Sequence, residues 1–104
     1  MLTDSNCAQV DKSSPPIVVE EARKLMEEVP GWEMRDSMIT REFKYKNFSE
    51  AMRFVNRVAD LAEGQDHHPD IHISYNKVRL DLSTHKIGGL SMNDFIMAAK
   101  VNRL

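Results

Sequence analysis

The side chains in this sequence best suited to chemistry are its histidines, and all four fall between residues 67 and 85: His67, His68, His72 and His85. Imidazole is the side chain whose unperturbed pKa lies nearest neutrality, so a cluster of imidazoles can both give and take protons at cellular pH. Proton transfer is therefore the first chemistry the pattern suggests. The densest stretch is Asp66-His67-His68-Pro69, just after Gly64. Pro69 keeps His68 extended, and neighbouring side chains of an extended segment point to opposite sides. His67 and His68 can face one pocket together only if the loop from residue 64 to 69 bends.

Two other chemistries compete for the same residues. His67, His68, His72 and His85, with Asp66 and Asp70, are ligand types that zinc accepts. Their spacing is poor for it: there is no HExxH and no cysteine pair, and His68 and His72 straddle a proline instead of sharing a helical face. No metal is expected. A nucleophilic mechanism has less support, because the one cysteine, Cys7, lies in a polar leader and no Gly-x-Ser-x-Gly elbow is present. Gly88-Gly89 is too short a glycine pattern to cradle phosphate and reads as a turn.

The elements that must position these residues follow from periodicity. Ala22, Leu25, Met26 and Val29 recur at helical spacing until Pro30-Gly31 ends the run, which predicts a first helix. Trp32 to Arg35 and Met38 to Tyr45 read as a hairpin about Asp36-Ser37, with Ile39, Phe43 and Tyr45 on one face. Asn47 with Glu50 three residues later resembles a capping box opening a second helix that runs to about Glu63 and stops at Gly64. Ile71 to Tyr75 and Lys77 to Thr84 alternate as two further strands about Asn76, and Ser91 with Asp94 opens a last helix. The predicted class is α+β: a four-stranded antiparallel sheet with three helices on one face, in the order α-β-β-α-β-β-α.

The second helix carries a wide apolar arc made of Phe48, Ala51, Met52, Phe54, Val55, Val58, Ala59, Leu61 and Ala62. A helix covering only its own sheet needs about 100° of apolar surface, so the excess predicts a second contact, most economically a partner subunit.

Bulk properties bound the function. The 104 residues suit one domain, read as residues 17–104 behind a flexible arm of residues 1–16 rich in polar residues and proline. With 14 basic and 16 acidic residues the net charge is −2, which lacks the footprint of direct nucleic-acid binding. No apolar run approaches the length needed to span a membrane and no secretory signal opens the chain, so a cytoplasmic protein without membrane contact is expected. A lone cysteine, read as an incidental thiol, suits a reducing compartment.

The order of residues also resembles a known family. His67-His68-Pro69, Tyr75, His85 and Asp94 stand at the spacing of the pterin-4a-carbinolamine dehydratase signature. The resemblance extends through Pro30-Gly31-Trp32, Tyr75-Asn76-x-Val78, Thr84-His85 and Gly89-Leu90-Ser91, from about residue 17 onward. It implies the same sheet-and-helix fold, a homodimer or homotetramer through the second helix and sheet edge, and dehydration of a 4a-hydroxytetrahydropterin to a quinonoid dihydropterin with no cofactor. Carried over residue by residue, it implies catalytic roles for His67, His68 and His85 and supporting, substrate-binding roles for Glu63, Asp66 and Asp94. Asp94 also stands where a helix cap is expected, and Glu63 could either meet the pterin or orient a histidine. His72 is outside the signature and reads as a solvent-facing strand residue. Vertebrate members of the family also act as dimerisation cofactors for a homeodomain transcription factor, so a protein-interaction module is the competing function.

Overall fold

Two short hairpins and three helices follow one another because each apolar stripe in the chain has one face to bury. The computed structural model describes residues 2–104. Its main elements are α1 (Val19–Met26), β1 (Glu33–Arg35), β2 (Met38–Lys44), α2 (Phe48–Gln65), β3 (Asp70–Ser74), β4 (Lys77–Leu82) and α3 (Met92–Val101). Short 3-10 turns cover Leu2–Asp4 and His85–Ile87. The predicted α-β-β-α-β-β-α order and the antiparallel sheet are both present, with strand order β1-β2-β4-β3.

The register explains which face is covered. Ile39, Arg41 and Phe43 of β2 stand opposite Leu82, Leu80 and Val78 of β4, and Ile71 and Ile73 of β3 stand opposite Leu80 and Val78. Since side chains alternate along a strand, this set shares the face that the helices cover. Ala51, Phe54, Val58 and Ala62 of α2 are buried with it, one residue per turn. The other face carries Thr40, Glu42, Lys44, His72, Arg79 and Asp81.

The third helix is apolar nearly all round and is buried from Asn93 to Ala99 and again at Val101. A helix of that kind needs cover on more than one side. The chain's first residues, which the sequence reads as a flexible arm, supply part of it. Leu2 is buried and joins the core, and Thr3 is bonded from α3 and beyond by Lys100 Nζ (3.1 Å) and Arg103 Nη1 (3.2 Å). At the other end of the segment Ile17 N–H donates to the Leu90 carbonyl at 2.9 Å. Pro16 there lies so near Gly89 that a Cβ on that glycine would sit 2.9 Å from the ring.

Other boundaries also shift. The first helix ends at Met26 rather than Val29, with Glu27 to Val29 continuing as tight turns. The second passes through Gly64 and ends where Asp66 turns left-handed at φ 51°. Glycine is the usual residue in that conformation, which is why Gly64 attracted the prediction. Among the described residues no helix is long and apolar enough to cross a membrane.

Candidate functional site

The end of α2 delivers the paired histidines. Asp66 N–H donates to the Glu63 carbonyl and His67 N–H to the Ala62 carbonyl at 3.2 Å, the paired closing bonds of a Schellman motif. The left-handed turn at Asp66 supplies the bend that the sequence required, and the two rings diverge after it. His67 is mostly buried and directs Nε2 at Asp94 Oδ1, 2.6 Å away. His68 is half exposed and directs Nε2 at Glu63 Oε2, also at 2.6 Å. Each of these imidazoles therefore has one ring nitrogen engaged by a carboxyl group.

Asp94 is held by the start of α3. Ser91 caps that helix, and Asp94 Oδ2 accepts from Ser91 N–H at 2.9 Å and from the Thr84 hydroxyl at 2.9 Å. Asn93 N–H donates to Ser91 Oγ, and Ser91 Oγ lies 2.6 Å from Thr84 Oγ1. One consistent chain of donors thus runs from the Asn93 amide through two hydroxyls into the carboxyl that holds His67. Asp94 has no exposed surface. It lies behind His67 and is not among the residues that line the cleft that His67 faces. The capping and supporting roles left open by the sequence are both filled, one by each oxygen.

His85 arrives from a third direction. The fourth strand ends at Leu82, Thr84 bridges to Gly89, and His85 opens the exposed 3-10 turn that Gly88 closes. Among the described residues the His85 ring has no side-chain hydrogen bond, and it faces the same cleft as His67 and His68. That cleft has a volume of about 380 Å³. Its walls are Gln65 to His68 from the end of α2, Ser83 to Lys86 after β4, Asn93 from α3, and Cys7 to Val10 from the N-terminal segment. Asp66 lines it, whereas Glu63 does not and reaches it only through His68. A larger hollow of about 680 Å³ beside α1 and β1 contains Arg23, Glu33 and Asp36 but no histidine. Chemistry, not size, singles out the first.

His72 lies on the opposite face of the sheet, where Nε2 is 3.0 Å from Asp81 Oδ2. Asp81 is itself buried there by Thr40 and Arg79. Among the described residues no three His, Cys, Asp or Glu side chains converge as the ligands of a metal ion would.

The N-terminal wall had no signal in the sequence. Ala8 N–H donates to Asn93 Oδ1 at 3.0 Å and the Asn93 amide donates back to the Ala8 carbonyl at 2.6 Å, while Cys7 N–H donates to Gln65 Oε1 at 2.8 Å. These partners lie more than 50 residues apart, beyond the reach of any local pattern. Burial pushes the Cys7 thiol up to about 11, with the Asp94 carboxyl adding to the rise and Lys100 opposing it. It is a protonated, unreactive thiol at neutral pH. Bonds from Ser13 hold the Asp11 carboxyl below its usual range, and the charge of Lys86 adds to this. The segment thus reaches from the end of α2 to the turn that carries His85.

Residues 15–104 match the family described as Pterin 4 alpha carbinolamine dehydratase. A protein of Nitrosomonas europaea named "Putative pterin-4-alpha-carbinolamine dehydratase" is 45% identical over 104 residues, covering 99% of this chain and 92% of its own length. One of the same name from Methylococcus capsulatus is 46% identical over 105 residues, with the same coverage. The crystal structure of a transcriptional coactivator/pterin dehydratase from Brucella melitensis superposes with a TM-score of 0.81 at 37% identity, over 85% of this chain and 96% of that one.

Proposed function

This chain belongs to the pterin-4a-carbinolamine dehydratase family, and we propose that its cleft removes water from a 4a-hydroxytetrahydropterin by histidine general acid–base catalysis. The observation that carries the mechanism is the meeting of His67, His68 and His85 in one cleft, two of them with a ring nitrogen already held by a carboxyl group.

The substrate carries a hydroxyl on a tetrahedral ring carbon beside a ring nitrogen that bears a proton. One protonated imidazole gives its proton to the hydroxyl, the carbon–oxygen bond breaks and water leaves. A neutral imidazole takes the proton from the ring nitrogen as the quinonoid double bond forms. One proton is given and one taken, so exchange between the two rings and solvent restores the site. No electron is transferred, and no redox cofactor enters the balance.

Asp94 serves this chemistry from behind. Accepting from His67 Nε2–H selects the tautomer whose Nδ1 remains available to a reactant. Glu63 does the same for His68 at the surface. We read both carboxyl groups as positioning residues, and Asp66 as a pocket residue whose backbone turn sets the direction of His67. General acid–base assistance is typically worth ~10²–10⁴-fold, which suits a substrate able to lose water slowly by itself.

We also propose that the protein is a cytoplasmic homo-oligomer. Phe48, Met52, Val55 and Ala59 form a second stripe on α2, about a quarter turn from the buried one, and none of them is fully covered. Ile73 on the edge strand β3 is exposed as well. A scaffold for another protein would account for the stripe, but would have no use for three imidazoles around a cleft.

Purified protein should accelerate loss of water from a synthetic 4a-hydroxytetrahydropterin by ~10²-fold or more over the spontaneous rate, with or without prolonged exposure to a chelator. Absence of acceleration would overturn the function, and loss of it on chelation would overturn the metal-free mechanism.

A further inference from the structure

The family match covers residues 15–104, and ahead of it Cys7, Ala8, Gln9 and Val10 form one wall of the cleft that holds His67, His68 and His85. We propose that this N-terminal strap is a substrate-binding wall of the site, and that Asn93 is the positioning residue that latches it there. The inference rests on the dehydratase reading and adds a specificity element to it.

The strap is tied down at both ends and in the middle. Leu2 enters the core at one end, and Ile17 donates to the Leu90 carbonyl at the other. Between them the Asn93 side chain accepts from the Ala8 N–H and donates to the Ala8 carbonyl, as a neighbouring strand would. Gln65 adds a bond to the Cys7 N–H and a second to Asn6 Oδ1. Asn93 is buried, with both ends of its amide in use. Lifting the strap would strip the buried Asn93 amide of both partners, a cost that favours the latched position.

The latch also determines what the strap offers a ligand. With the backbone of Ala8 occupied by Asn93, the strap residues that line the cleft beside Cys7 are Ala8, Gln9 and Val10, whose side chains are a methyl group, an amide and an apolar chain. An apolar wall with one amide fits the flat face and the donor–acceptor edge of a pterin ring. It holds no group able to transfer a proton near neutrality, because the Cys7 thiol stays protonated. The strap therefore contributes binding, not chemistry. Contacts made equally in the ground and transition states appear in KM and leave kcat alone.

The test measures kcat and KM for a 4a-hydroxytetrahydropterin with the intact wild-type chain, Asn93→Ala and Ala8→Phe. Asn93→Ala frees the strap, and Ala8→Phe leaves the latch amide in place while filling the cleft from the strap side. Each should raise KM about 5-fold or more, the worth of roughly one contact, with kcat within about 2-fold of wild type and an unchanged pH profile. If Asn93→Ala does not fold, Ala8→Phe decides alone, since Ala8 is exposed. A folded Ala8→Phe with wild-type KM overturns the proposal, as does a fall in kcat at unchanged KM. Wild-type protein inert in the same assay overturns the dehydratase reading and this inference with it, whereas an active wild type with unaffected variants overturns this inference alone.

Discussion

At His67 the nitrogen facing Asp94 is committed, so whatever proton this ring moves passes through the other nitrogen. Replacing Asp94 by Asn tests that arrangement. An amide in the same place keeps its oxygen for the Ser91 N–H and the Thr84 hydroxyl, but it replaces charge-assisted bonds by weaker neutral ones. Its NH2 turns toward His67 Nε2, which forces the ring into the tautomer with its proton on Nδ1. Asp94→Asn should cost roughly 1–3 kcal/mol of stability, read by urea unfolding, and should lower turnover as well. An unchanged unfolding midpoint would show that the carboxyl is not the hub described. Cys7 makes a second case. Thiolate forms above the pKa, so a rise from 9.0 to about 11 leaves about 100-fold less of it at pH 8. Alkylation of the folded protein at pH 8 should be slower than that of a free cysteine by about that factor, and should quicken as pH climbs toward 11. The histidines were legible in the sequence because their type and crowding are unusual. Asp94 was legible only in part, since a capping box and a histidine-orienting carboxyl look alike until the fold shows that one side chain does both.

At the level of elements, site and scaffold meet at two helix ends. The last turn of α2 aims His67, and the first turn of α3 holds the group that receives it. Periodicity revealed both helices and the Ser91 cap directly, because apolar spacing and capping chemistry are local. The end of α2 was misplaced by two residues because Gly64 is the default stop signal, whereas the left-handed residue is Asp66. The structure turns that error into a prediction. Gly64 is helical, and a Cβ there would meet nothing within 4 Å. Gly64→Ala should therefore stabilise the protein by roughly 0.5–1 kcal/mol, measured by denaturant unfolding. Destabilisation would place the true helix end at Gly64 after all.

The whole molecule hides less apolar surface than its sequence offers, and the shortfall lies on the second stripe of α2 and at β3. Light scattering at micromolar concentration should therefore report a dimer or larger species, and Met52→Asp or Val55→Asp should shift it toward smaller ones without unfolding the chain. A wild-type monomer would contradict the assignment of that stripe. The sheet, its helices and their order were readable from alternation and turn residues, which are properties of neighbours in the chain. The N-terminal wall was not, because Leu2 and Ala8 owe their places to α3, more than 80 residues away. The account as a whole stands on the cleft of histidines, and one comparison tests it most directly: dehydration of a 4a-hydroxytetrahydropterin by wild type, His67→Gln, His85→Gln and His72→Ala. Losing a positioned acid or base typically costs ~10²–10⁴-fold, part of it hidden by the spontaneous reaction. The account predicts that His67→Gln and His85→Gln each lose at least ~10-fold in turnover while remaining folded, and that His72→Ala, on the far face of the sheet, matches wild type. Full activity in all three variants would contradict it.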